Sequence, residues 1–342
     1  MLSKITVSPA PHISQPLSTQ RVMLDVIIGL AFPTAAAVWF FREYAVSCLL
    51  ICTATCVISE WIFNWIRKKP CSVCDLSAVV TGIILALSMP PAAPWWAAVV
   101  GSAFAIVIVK MLFGGLGYNV FNPAMAARVF LTISFGTLMT TWTVPATIDL
   151  AMPQVAATNI QPNYTTRATV MAYSKMAMKG TLENNQTAKQ ISSFSNDSFF
   201  GIEPGCLGET SALAILLGGV YMLIRKTITW RIPCAVLLAA AAVAAIGWLA
   251  KPDAYVNPLY HLVGGGLMLG AFFIATDPVT SPLTAKGEWI FGLGVGTLIM
   301  LIRILGEYPE GVMYAVLIMN AITPLIDRFT RLIPTGGKPN VQ

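Results

Sequence analysis

The stretch 114-GGLGYNVFNPAM-125 interrupts two apolar runs, residues 95–113 before it and 124–142 after it. Three glycines, a proline and two asparagines cannot form a lipid-facing helix. At membrane depth, unwound backbone survives only where it is buried in protein or lines a cavity. Two readings therefore stand: a helix hairpin with close-packed glycines and asparagine caps, or a broken helix beside a binding site. In the second, Asn119 and Asn122, three residues apart, offer amide donors and acceptors to a polar heterocycle.

The rest of the chain gives that stretch its setting. Of 342 residues, 56% are hydrophobic and 11% charged, with a mean hydropathy of +0.72. Soluble domains carry about 25% charged residues. The composition points to an all-α polytopic membrane protein, because long apolar runs satisfy their own backbone as helices. A β-barrel would show short segments of alternating polarity instead. Windows apolar enough to span fall at 22–41, 44–66, 75–89, 95–113, 124–142, 210–224, 232–250, 261–275, 289–305 and 312–326. They predict about ten transmembrane helices. The division expected is a cytoplasmic segment 1–21, a first membrane half 22–142, a long loop 143–208, a second half 209–327 and a cytoplasmic tail 328–342.

A net charge of +6 does not imply nucleic acid, since Lys and Arg cluster in short loops between apolar runs. Arg21, Arg67, Lys68, Lys69, Arg225, Lys226, Arg231, Lys286 and Arg328 fall on one side; Arg42, Lys251 and Arg303 fall on the other. The positive-inside rule then puts both termini in the cytoplasm and the 143–208 loop on the outer face. Five helices per half would give the halves opposite orientation, an inverted repeat. Its traces are Thr81-Gly82 in a helix ending in MPP, and 264-GGGLMLG-270 in one ending in TDPVTSP.

Four acids, Asp25, Asp75, Glu209 and Asp277, stand near predicted helix ends. Asp75 and Glu209 stand at helix starts, where a carboxylate can cap backbone N–H groups. Asp277 lies in 276-TDPVTSP-282, whose prolines force irregular backbone suited to a polar pocket. Cys71 and Cys74 form a CxxC that reads as structural, as a redox pair or as half of an iron–sulfur site. With two histidines in the chain, no metal site and no catalytic residue is assigned. No nucleotide-hydrolysis or hydrolase motif occurs.

The segments 75-DLSAVVTGIILALSMPP-91, 114-GGLGYNVFNPAM-125, 208-GETSALAILLGG-219 and 276-TDPVTSP-282 together resemble one family. It contains the RnfD component of the Rnf electron-transport complex and the NqrB component of the sodium-pumping NADH:quinone oxidoreductase. The likeness runs in order through the spanning segments, and the chain length is closer to the Rnf component. It implies a subunit of an ion-translocating oxidoreductase, inactive alone, in a bacterial cytoplasmic membrane. Electron transfer between ferredoxin and NAD would drive Na⁺ or H⁺. Partners implied are a second covalent-FMN subunit, iron–sulfur subunits, a flavin transferase for maturation, and lipid. The resemblance also implies FMN joined through its phosphate to a threonine of the outer loop, and non-covalent riboflavin within the membrane. The riboflavin maps onto Asn119 and Asn122.

The family's attachment step resembles D-x-x-[ST]-G-A-T. In 163-NYTTRATVMA-172, Thr169 follows Ala168, with Thr166 three residues earlier and Met171 at the later apolar position. The other Ala-Thr steps, at 146–147 and 157–158, have valine three residues before the threonine. Thr169 is therefore the expected tether, with Thr166 and Arg167 beside it. Asn163 and Arg167 stand where the family has Asp and Gly. Arg167 can form a charge-assisted bond to a phosphodiester. A different class, a solute channel or permease of urea- or ammonium-transporter-like architecture, shares the expected repeat and needs no cofactor.

Overall fold

The computed structural model describes residues 18–68, 72–142, 205–250, 257–306 and 310–330. Within these residues every regular element is helical and no strand occurs. The first half holds α1 (Thr19–Phe41), α2 (Glu43–Ile66), α3 (Ser77–Ser88), α4 (Trp95–Met111), α5 (Pro123–Ser134) and a single turn, α6 (Gly136–Met139). The second half holds α7 (Ala212–Ile224), α8 (Arg231–Ala250), α9 (Pro258–Val263), α10, α11 (Ala285–Leu305) and α12 (Val312–Phe329). Helix α10 starts as Leu267–Leu269 and continues as a π-helical turn, Gly270–Ile274.

Five helices, α1, α2, α8, α11 and α12, are long and apolar enough to cross a membrane. The remaining windows are shorter. Helix α3 has 12 residues, about 18 Å at 1.5 Å per residue, against a hydrocarbon core of about 30 Å. The window 261–275 does not form one helix, because Gly264, Gly265 and Gly266 separate α9 from α10 and Gly265 has φ +70°. Of the roughly ten crossing helices expected, the structure thus has five full-length ones among the described residues, with shorter apolar helices between them. Large apolar side chains such as Leu50, Ile133, Ile246 and Leu249 lie exposed along the helices, as a lipid-facing surface requires. Trp39, Trp61, Trp65, Trp95 and Trp230 are exposed near helix ends, where amphipathic rings meet the headgroup level.

Why α3 stops is local. Pro90 and Pro91 cannot continue its hydrogen bonding. Its last carbonyls are taken by the second half: Gly208 N donates to Leu87 O at 2.7 Å and Leu207 N to Met89 O at 3.1 Å. A Cβ on Gly208 would stand 2.8 Å from Leu87 Cβ, so the approach requires glycine. The halves also meet where α1 packs on α7 and α5 on α12. Asp25 of α1 ties the first contact, accepting from Arg225 Nε and Tyr221 OH at 3.3 Å and from Thr227 Oγ1 at 3.4 Å.

At the α1–α7 crossing, a Cβ on Gly218 would sit 2.2 Å from Gly29 O and 2.9 Å from the Phe273 ring. Backbone cannot yield as a side chain can. Gly218→Ala is therefore expected to separate the helices and to destabilise the fold by about 1–3 kcal/mol. Thermal unfolding of the detergent-solubilised protein would read this, and an unchanged midpoint would refute the close approach.

Candidate functional site: a cleft between the broken helices

A cleft of about 710 Å³, counting its open mouth, lies between the two halves. Its walls come from α1 (Met23, Val26), α3 (Ser77, Thr81), the 114–125 stretch (Leu116, Asn119, Asn122) and the end of α10 (Phe273, Thr276, Asp277), with Lys110 of α4.

The 114–125 stretch reaches the cleft because its glycines take backbone that other residues avoid. Gly114, Gly115 and Gly117 have φ of +129°, +103° and +92°, a region essentially reserved for glycine. Pro123 then opens α5, and Asn122 caps it: its Oδ1 accepts from Ala124 N at 3.1 Å and Met125 N at 3.2 Å. Asn320 of α12, with its amide oriented to meet both partners, accepts from Asn122 N at 3.0 Å and donates to Val316 O at 3.2 Å.

The two asparagines thus share the cleft but not a role. Asn122 spends its oxygen on the helix start. Asn119 donates from Nδ2 to Phe121 O at 3.1 Å, while its Oδ1 is buried without a partner. A buried acceptor left unpaired costs about 1–3 kcal/mol, so this atom suits a ligand N–H. Thr166, Arg167 and Thr169 lie outside the described residues, as do Asn163 and Cys71. Cys74 is exposed.

Sequence reasoning did not find Lys110 and Glu60, both all but inaccessible to solvent. Lys110 Nζ donates to Glu60 Oε2 at 2.9 Å and to Ser77 Oγ. Ser77 Oγ in turn donates to Asp75, whose Oδ1 also accepts from Ser77 N at 2.8 Å. Glu60 Oε1 accepts from Ser72, and Ser72 accepts from Asn64 Nδ2 at 2.9 Å. The one available signal was a lone charge inside an apolar window.

A smaller recess is lined by Ser88 of α3, Met125 and Arg128 of α5, Gly266, Glu209 and Glu310. Glu209 was expected to cap the next helix, but Ser211 does so, accepting from Ala214 N at 3.3 Å. Glu209 accepts instead from Cys206 N at 3.4 Å. The ligand atoms of Cys206, Glu209 and Glu310 lie within 4.8 Å of one another. Arg128 donates to Cys206 Sγ at 3.4 Å and Met139 O at 3.5 Å.

The sequence matches the NQR2, RnfD, RnfE family over residues 6–336. The chain belongs to that family. It is 43% identical over 330 residues to the D component of the Na⁺-translocating ferredoxin:NAD⁺ oxidoreductase complex of Acetobacterium woodii, covering 96% of this chain and 94% of that protein. The D components of the ion-translocating oxidoreductase complexes of Stutzerimonas stutzeri and Salmonella arizonae are 41% and 39% identical. Those alignments cover 95% of both chains in the first case and 97% of both in the second. In this NQR2, RnfD, RnfE family member, three of the four motifs that suggested the family line one cleft: 75–91 through Ser77 and Thr81, 114–125 through the asparagines, and 276–282 through Asp277. The fourth, 208–219, docks on α3 and brings Glu209 to the second recess.

Proposed function

We propose that the chain is the D-type membrane component of an Rnf-type complex coupling electron transfer between ferredoxin and NAD to translocation of Na⁺ or H⁺. In this reading it carries FMN on Thr169 of the outer loop and riboflavin in the cleft, and it acts only with its sister subunits. These include a second covalent-FMN subunit and iron–sulfur subunits; a flavin transferase loads the threonine. The observation that carries the reading is near-full-length similarity to proteins named as D components of such complexes, in a chain where three of the four motifs meet at one cleft.

The cleft fits the membrane flavin chemically. Val26, Val80, Ile84 and Phe273 offer an apolar bed, and Thr81, Asn119 and Thr276 offer polar groups. The unpaired Asn119 Oδ1 suits a ring N–H. When bound, the flavin supplies reversible electron acceptance and donation, while the protein fixes its place and electronics. Moving one charge against a membrane potential costs about 2.3 kcal/mol per 100 mV.

The charge pattern supports a bacterial cytoplasmic membrane placement with both ends inside and the halves inverted. Arg67 and Lys68 end α2, Arg225 and Lys226 end α7, Arg231 starts α8, and Lys286 stands in the first turn of α11. With helices alternating in direction, these ends share one side.

The test is the flavin inventory of the purified complex. Acid precipitation should release riboflavin into the supernatant while covalent FMN stays with the protein. Asn119→Leu should reduce the released riboflavin at least tenfold with the complex still assembled. A wild-type complex that releases none would sink the riboflavin assignment. Solute flux through flavin-free protein would favour the permease reading instead.

A further inference from the structure

Lys110 stands in the π-helical part of α4, Phe104–Met111, a geometry that often marks functional sites. Its ammonium has three donors and no acceptor. Two serve Glu60 and Ser77; the third has no partner among the described residues. Lys110 and Ser77 line the cleft, whereas Glu60 sits behind them. Glu60 is further held from behind by Ser72. The ion pair therefore presents its positive end to the cleft, in surroundings where charge is poorly screened. Among the described residues the one carboxyl lining the cleft is Asp277, and it is already engaged, accepting from Val279 N at 3.2 Å and Thr280 Oγ1 at 3.1 Å.

We infer that Lys110 donates its third N–H to the acceptor edge of the flavin in this cleft and sets that flavin's reduction potential; this rests on the riboflavin reading above. A ring that accepts an electron from a neighbouring redox group gains negative charge at its acceptor atoms. The ammonium stabilises that charge more than it stabilises the oxidised ring. No proton need leave Lys110, so its role is electrostatic and its loss makes the flavin harder to reduce.

The experiment is a redox titration of the non-covalent flavin in the purified complex. Wild type is compared with the Glu60→Gln/Lys110→Met double variant and with Lys110→Arg. The double variant removes the charge without leaving Glu60 ionised and unpaired. The expected result is at least a tenfold shift toward the oxidised flavin, about 59 mV for a one-electron couple, in the double variant alone. Riboflavin lost from the double variant but kept by Lys110→Arg would equally support a charge contact.

An unchanged potential in a double variant that keeps its flavin overturns the role of Lys110 and leaves the riboflavin reading intact. Riboflavin lost from both variants, in complexes that still assemble, overturns it too, since charge was then not what mattered. A wild-type complex that releases no riboflavin overturns both.

Discussion

Thr169→Ala is expected to remove all flavin fluorescence from this chain on a denaturing gel, when wild type and variant are made beside an active flavin transferase. The effect is all-or-none because a phosphoester needs a hydroxyl and alanine has none. The choice of residue is narrow. Each of the three Ala-Thr steps in the 143–208 loop carries a candidate hydroxyl, but one alone has a second hydroxyl three residues earlier, Thr166 before Thr169. Fluorescence surviving in the variant would move the tether to another hydroxyl. A dark wild-type band would mean that Asn163 and Arg167, which depart from the family pattern, have closed the site to the transferase. The threonine is a tether, so the variant should keep the non-covalent flavin of the cleft. Loss of that flavin as well would mean that the two positions depend on one another.

Much of the fold was legible in the sequence because lipid imposes a simple rule. A window such as 44–66 is mostly apolar and aromatic, and it folds as Glu43–Ile66. The broken stretch was legible for the same reason: glycines and asparagines at that depth must face protein or a cavity, and Asn119 and Asn122 do line the cleft.

What was not legible depends on contacts between distant helices. In 261–275 the three glycines 264–266 signal a break, but what holds the helix end at Gly264 comes from far along the chain: Arg303 reaches across to bond His261 O at 2.6 Å and Gly264 O at 3.1 Å. Arg303 itself read as an outer-loop charge and is buried. Glu209 read as a cap, yet the docking of 205–211 on α3 turns it toward Glu310. The Thr81-Gly82 echo of the second half concerns packing: a Cβ on Gly82 would stand 2.7 Å from Thr53 Cα.

The Lys110–Glu60 pair is the sharpest case, since its partners are 50 residues apart and each alone is a single charge inside an apolar window. Removing either partner should be among the most damaging single changes in the first half. Glu60→Ala or Lys110→Ala is expected to cost about 3–5 kcal/mol, because each leaves one charge buried without its counter-ion. Thermal unfolding of the solubilised protein reads the singles, and the Glu60→Gln/Lys110→Met double variant closes the cycle. The double should cost less than either single, since replacing a whole buried pair with neutral groups of similar volume is often nearly neutral. Singles that cost under about 1 kcal/mol would mean that water reaches the pair, against its burial. Suppose instead that the double is as stable as wild type while its cleft flavin is harder to reduce. Stability would then give no reason for the pair to be there, and the field it places on the cleft would.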